Sequence, residues 1–142
     1  MILIDTNVIS EPLRVAADPT VTAWIDAQNV ETLFLAAISL AELRYGIAAL
    51  PAGRRRDALH QQVEQRVVPL FRGRILPFDA TASQAYALLR ARARAAGQSI
   101  GTADGYIAAT AAANGLTIAT RDAAPFVAAG LTVIDPWQKD AH

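Results

Sequence analysis

Apolar residues along this chain fall into two alternating rhythms. Runs of strand length occur at Ile2–Ile4, Leu33–Ala37, Ile75–Phe78, Leu116–Ala119 and Leu131–Ile134. Between them the spacing lengthens to that of a helix face. Leu40, Leu43, Ile47 and Leu50 follow i, i+3, i+7, i+10, and Leu59, Val63 and Val67 follow i, i+4, i+8. Tyr86, Leu89, Ala93 and Ala96 keep that rhythm, as does the Ala-rich run Ala103–Ala113. Val21, Trp24 and Ile25 predict a short early helix opened by Asp18-Pro19, because proline suits a first helical turn. Turn chemistry at Pro51-Ala52-Gly53, Arg72-Gly73, Gly97, Asn114-Gly115 and Gly130 separates the pieces. Strands alternating with helices predict an α/β fold, a parallel sheet with helices on both faces. No repeat, low-complexity tail or linker interrupts the pattern, so the 142 residues predict one domain with a sizeable core.

Composition narrows the classes. The apolar fraction is 53%, but 31 of those residues are Ala. No run approaches the roughly 18 apolar residues of a membrane span, and no basic segment precedes an apolar one at the N-terminus. Neither a membrane protein nor a secretory signal is expected. The absence of Cys excludes disulfides and thiolate metal sites, and fits a cytoplasmic protein. Net charge is zero, which argues against a protein that coats duplex nucleic acid. Yet 12 of the 13 basic residues are Arg, the side chain suited to forked phosphate contacts; the exception is Lys139. If four of the 13 acids gathered in one pocket, the remaining surface would carry 13 positive against 9 negative charges.

Four acids fall where such a pocket is expected. In open parallel sheets ligands bind outside the carboxyl ends of the strands. Asp5 closes the first strand, Glu42 sits in the first turn after the second, Asp104 opens the Ala-rich helix, and Asp122 follows the fourth strand. Each also has a purely structural explanation. Ser39-Leu40-Ala41-Glu42 is a capping-box pattern. Asp104 suits the helix dipole, Asp122 suits an N-cap, and Asp5 suits an Asx-turn with Thr6 and Asn7. Four independent caps need not all fall at strand carboxyl ends, however. Two carboxylates about 6 Å apart repel by roughly 3 kcal/mol at an effective dielectric near 20, so a cluster needs protonation or a counter-cation. An all-oxygen cluster without Cys or His is a hard site, suited to Mg²⁺ or Mn²⁺.

The stretches ILIDTNVISEPLR, AISLAELRYGIAAL, RILPFDA, TADGYIAATAAANGLTIATRD and VIDPW, in this order, resemble PIN-domain proteins of the VapC toxin class, and within it the FitB-like subgroup. The resemblance covers nearly the whole chain. It implies a single PIN domain over residues 1–142, built as a three-layer α/β/α sandwich around a central parallel sheet. It implies the toxin of a type II toxin–antitoxin system, an endoribonuclease dependent on Mg²⁺ or Mn²⁺. The family's acidic quartet maps onto Asp5, Glu42, Asp104 and Asp122, with Asp5 and Asp104 as principal metal ligands. Its polar helpers map onto Thr6, Asn7, Ser39 and Thr120. Many relatives carry Asn where Asp122 stands and place another acid a few residues later; here Ala123-Ala124-Pro125-Phe126 offers none. The implied partners are an RNA substrate, a small ribbon-helix-helix antitoxin that binds DNA, and a second copy of the chain. The apolar positions around Leu43–Leu50, with Gly46 permitting close approach, suit such a homodimer.

For phosphodiester cleavage a metal generates hydroxide and neutralises charge on the phosphate, so no side-chain nucleophile is needed. Arg121, between Thr120 and Asp122, is a candidate phosphate contact, with a solvated Arg as the plain alternative. Arg54-Arg55-Arg56 follow the Pro51-Ala52-Gly53 turn at a helix start, where the dipole disfavours cations, and read as a solvated loop tip with an RNA contact as the alternative. Arg90, Arg92 and Arg94 read as solvated surface, and His60 and His142 as surface residues outside the motifs. A receiver-type phosphoacceptor domain needs an acidic pair after strand one and a Lys after the last strand, and the chain has neither. The competing reading from a different class is a regulatory module that docks a DNA-binding antitoxin and whose nuclease site is vestigial.

Overall fold

A computed structural model describes residues 1–139, so the expectation for His142 lies outside the described residues. Five strands form one all-parallel sheet: β1 (Ile2–Ile4), β2 (Leu33–Ala36), β3 (Ile75–Leu76), β4 (Thr117–Ala119) and β5 (Val133–Ile134). Their order is β3-β2-β1-β4-β5, with β1 at the centre. Ile4 lies opposite Leu35 on one side and Ala119 on the other. The helices are α1 (Thr6–Ser10), α2 (Pro19–Ala27), α3 (Ala37–Ala48), α4 (Arg54–Gln62), α5 (Val68–Leu70), α6 (Ala80–Ala95), α7 (Thr102–Ala113) and α8 (Ala123–Ala128). A π-helical turn, Val63–Val67, joins α4 to α5.

Each strand from β2 onward is shorter than its apolar run, for identifiable reasons. At Leu116 and Leu131 the backbone N–H does not enter the sheet. It closes the preceding helix instead, on Ala111 O at 2.9 Å and Phe126 O at 3.1 Å. Gly115 and Gly130, at φ 63° and 85°, supply the left-handed residue that such helix ends require. Strand β3 ends at Leu76 because Pro77 has no N–H for the ladder. Ala37 opens α3 rather than extending β2.

Alternate strand residues feed two cores. Ile4, Leu33 and Leu35 pack with Val8, Val21, Trp24, Leu40 and Val63 on one face. Leu3, Ala36 and Ile118 pack with Leu89, Ile107, Ala108 and Phe126 on the other. That is the three-layer sandwich. The sheet buries both faces, which is why its strands read as continuous apolar runs. Leu43 and Ile47, expected to face a second copy, are 7% and 8% exposed within the first core, so they offer little to a partner. Arg54-Arg55-Arg56 form the largely exposed first turn of α4, behind Gly53 at its N-cap, at the helix start expected of them and not in a loop. No helix among the described residues is long and apolar enough to cross a membrane.

A candidate carboxylate site at the strand carboxyl ends

β1 is flanked by β2 and β4, so the chain leaves its carboxyl end in a crevice where strand order reverses. Asp5 occupies that point. Its N–H donates to Ala119 O at 2.9 Å, continuing the β1–β4 ladder by one residue. Its side chain stands at the N-cap of α1 and accepts from Thr6 N at 2.7 Å; the bond goes to the next residue and not to Asn7 N, so the Asx-turn expected here is not the contact seen. The other oxygen accepts from Thr120 Oγ1 at 2.7 Å. Asp5 is 5% exposed and Thr120 is fully buried. Thr120 Oγ1 also accepts from Asp122 N at 3.2 Å and from Asn7 Nδ2 at 3.4 Å, while Asn7 Oδ1 accepts from Arg121 N at 3.4 Å. The residues after β1 and after β4 are thus bound into one polar network.

Glu42 reaches this network from α3. Its carboxylate accepts from Thr6 Oγ1 at 2.8 Å. The capping box expected of Ser39 and Glu42 is not formed. α3 begins at Ala37, which puts Ser39 inside the helix, and the N-cap Ala36 makes no side-chain cap bond. Ser39 Oγ is buried and has no hydrogen-bond partner among the described residues. Asp122 stands at the N-cap of α8 but accepts no capping bond. Asp104 is the third residue of α7, half-buried at its start. The structural explanations for Glu42 and Asp122 therefore fail in their specific form.

Electrostatics joins the four acids. Burial pushes the Asp5 carboxyl up; the bonds from Thr120 and Thr6 work against that, and the charges of Asp104 and Glu42 add to it. Burial also raises Asp104, with Asp122 and Glu42 contributing. Desolvation, ahead of mutual repulsion, is thus the leading cause. Among the described residues the ion pairs are Arg14–Glu11 and Arg44–Glu64, and none of the four acids has a basic partner. Asp5 is buried and Asp104 half-buried, while Glu42 and Asp122 are exposed; hard oxygen donors of this kind without a protein counter-charge fit a divalent cation. Among the described residues no three acids converge closely enough to hold an ion by themselves, so water or substrate oxygens must complete the shell of any cation bound here.

Two neighbouring features carried no sequence signal. A groove of about 480 Å³ runs beside Asp104 and Asp122, bordered by Gln98, Ser99 and Pro125. Gly105, next to Asp104, lets Tyr86 of α6 approach so closely that a Cβ there would lie 3.0 Å from its ring. Tyr86 in turn stacks on Tyr106, with ring centroids 4.9 Å apart.

A family model described as PIN domain matches residues 2–130. The chain is 56% identical over 138 residues to a VapC ribonuclease, Y4jK, from Sinorhizobium fredii, covering 97% of this chain and 99% of that protein. It is 51% identical over 137 residues to the toxin FitB of Neisseria gonorrhoeae, covering 96% and 99%. A solved structure of FitAB bound to an IR36 DNA fragment superposes with a TM-score of 0.96 at 48% identity, covering 100% of this chain and 99% of that one.

Proposed function

The chain belongs to the PIN-domain family, and on that premise we propose that it is the toxin of a toxin–antitoxin pair, an endoribonuclease dependent on Mg²⁺ or Mn²⁺. One observation carries the metal-dependent part: Asp5, Glu42, Asp104 and Asp122 lie at strand carboxyl ends near enough for their charges to push the Asp5 and Asp104 carboxyls up, and none has a basic partner among the described residues. The relative named as a VapC ribonuclease supports RNA as substrate, and the FitAB structure supports a partner that brings the chain to DNA. We assign that partner to the ribbon-helix-helix class, and a homodimer is part of the same proposal.

Asp5 and Asp104 are the principal ligands in this reading, with Glu42 and Asp122 joining directly or through water. A divalent cation held there supplies charge neutralisation at the phosphate and a water acidic enough to attack near neutral pH. The remaining work falls to the chain. Thr6 N–H and Thr120 Oγ–H lock both oxygens of Asp5, so its carboxylate keeps one orientation. Thr6 Oγ–H fixes Glu42 across the crevice. Asn7 ties the turn after β4 to the turn after β1, which holds Asp122 in register with Asp5. Preorganisation of this kind spares reorganisation during the reaction. Ser39, buried in the first turn of α3 with its hydroxyl unpartnered among the described residues, is a polar helper of the site in this reading.

The test is cleavage of single-stranded RNA by purified protein free of antitoxin. Cleavage in Mg²⁺ or Mn²⁺ that stops in EDTA is expected. Cleavage that survives EDTA overturns the proposal.

A further inference from the structure

We infer that Arg121, laid over the indole of Trp137, is the side chain that grips an RNA phosphate beside the carboxylate site, with Trp137 as its positioning residue. The inference rests on the ribonuclease reading above and adds a specific substrate contact to it.

The root of Arg121 belongs to the site. It lies between Thr120, which bonds Asp5, and Asp122, and its N–H donates to Asn7 Oδ1. Its side chain goes elsewhere. The guanidinium carbon sits 5.0 Å from the centroid of the Trp137 ring. Trp137 packs against the core shared by β1 and β2, and its backbone N–H donates to Asp135 Oδ1 at 2.9 Å, which fixes the turn that carries the ring.

An exposed guanidinium next to unpaired carboxylates is drawn toward them by Coulomb attraction that the solvent screens. Arg121 nevertheless makes no ion pair among the described residues. The indole face offers a competing hold on the cation. Arg121 lies on that face and not among the carboxylates, whose oxygens stay open to a metal. A guanidinium lying flat on a ring still turns its N–H edge outward, and that edge matches two phosphate oxygens.

Such a contact answers a real problem. The crevice concentrates negative charge, and an RNA strand approaching it is a polyanion. Other arginines with defined contacts are committed: Arg14 to Glu11, Arg44 to Glu64, Arg74 to the carbonyls of Leu33 and Leu70, and Arg90 to the Tyr86 hydroxyl. Arg121 donates from its guanidinium to no acceptor among the described residues and lies beside the crevice.

The experiment is binding of fluorescein-labelled single-stranded RNA, followed by anisotropy in EDTA across a salt series, with Asp104→Asn protein as the background. Arg121→Gln is expected to weaken binding severalfold and to reduce the log–log salt slope by about 0.7, the loss of one phosphate contact on a single strand. Trp137→Leu is expected to weaken binding about two- to fivefold, the worth of an exposed cation–π contact. Trp137→Phe should restore most of it. Added to Arg121→Gln, Trp137→Leu should have no further effect, which a merely structural Trp would not satisfy. An unchanged salt slope in Arg121→Gln overturns the inference, as does a Trp137→Leu loss that persists without Arg121. Absence of RNA binding and cleavage by the unaltered protein overturns the ribonuclease reading as well. Retention of both by the unaltered protein, with indifferent variants, overturns this inference alone.

Discussion

Thr120 and Asp5, 115 residues apart in sequence, share a buried hydrogen bond of 2.7 Å. The bond does two things. It gives a buried carboxylate one of the donors it needs, and it fixes the carboxyl end of β4 against that of β1. Thr120→Val keeps the shape and removes the donor. Leaving a buried acceptor unmet costs about 1–3 kcal/mol. The loss should depend on pH. Without the bond, the folded Asp5 carboxyl rises further above its unfolded value, so the penalty is full at neutral pH and shrinks as pH falls toward the ordinary carboxylate range. Melting curves of metal-free protein at neutral and mildly acidic pH check this; an equal loss at both contradicts it.

Asp104→Asn should stabilise the metal-free protein near neutral pH. Its carboxyl is raised by burial and by the charges of Asp122 and Glu42. The folded state therefore binds more protons than the unfolded chain between the two pKa values. Stability falls as pH rises through that window, and the cost persists above it. Removing the charge relieves the cost, less what a carboxylate contributes at the start of α7, for a net gain of a few tenths to about 1 kcal/mol. Denaturant midpoints in EDTA measure it. A less stable variant would mean that Asp104 serves only the helix end.

Asp5→Asn and Asp104→Asn should both abolish cleavage, but their structural costs differ. Asp104 is half-buried and accepts no side-chain bond from its neighbours among the described residues, so its variant folds normally. Asp5 accepts two donors, and an amide can face only one of them as acceptor. Its variant should lose about 1–2 kcal/mol. Circular dichroism and melting temperature alongside single-turnover cleavage separate the two. Near-wild-type turnover in either variant contradicts the ligand assignment.

The antitoxin should place a basic side chain, an arginine by its geometry, among these carboxylates, since a crevice without its own counter-charge accepts a guanidinium fork. Isothermal titration at low salt should show the Asp5→Asn/Asp104→Asn protein binding the antitoxin's inhibitory segment at least tenfold more weakly, about 1.4 kcal/mol. Equal affinity excludes this mode of inhibition.

Much of this was legible in the sequence because the physics is local. Ile2–Ile4 reads as a strand, and the rule for parallel sheets puts Asp5 at a ligand edge before any contact is known. Ser39 and Glu42 mark the limit. Their spacing fits a capping box, and only the position of Ala37 as first helical residue turns Ser39 inward and frees Glu42 for Thr6, 36 residues away. Leu116 and Leu131 mark another: an apolar residue at a strand start looks identical whether its N–H enters the sheet or closes a helix. Leu43 and Ile47 were apolar at helical spacing, which says that they are covered but not by what. The approach of Tyr86 to Gly105 and of Arg121 to Trp137 joins separate elements, and no sequence period records such contacts.

The central claim is that the carboxylates at the β1–β4 edge hold a divalent cation that RNA cleavage requires. The most direct measurement is a titration of antitoxin-free protein with Mn²⁺, reading melting temperature and RNA cleavage in the same samples, for wild type and Asp104→Asn. The account predicts that cleavage and melting temperature of the wild type rise together and saturate over one concentration range, while the variant shifts little and cuts nothing. Equal Mn²⁺ shifts in both proteins, or wild-type cleavage undiminished in EDTA, would contradict it.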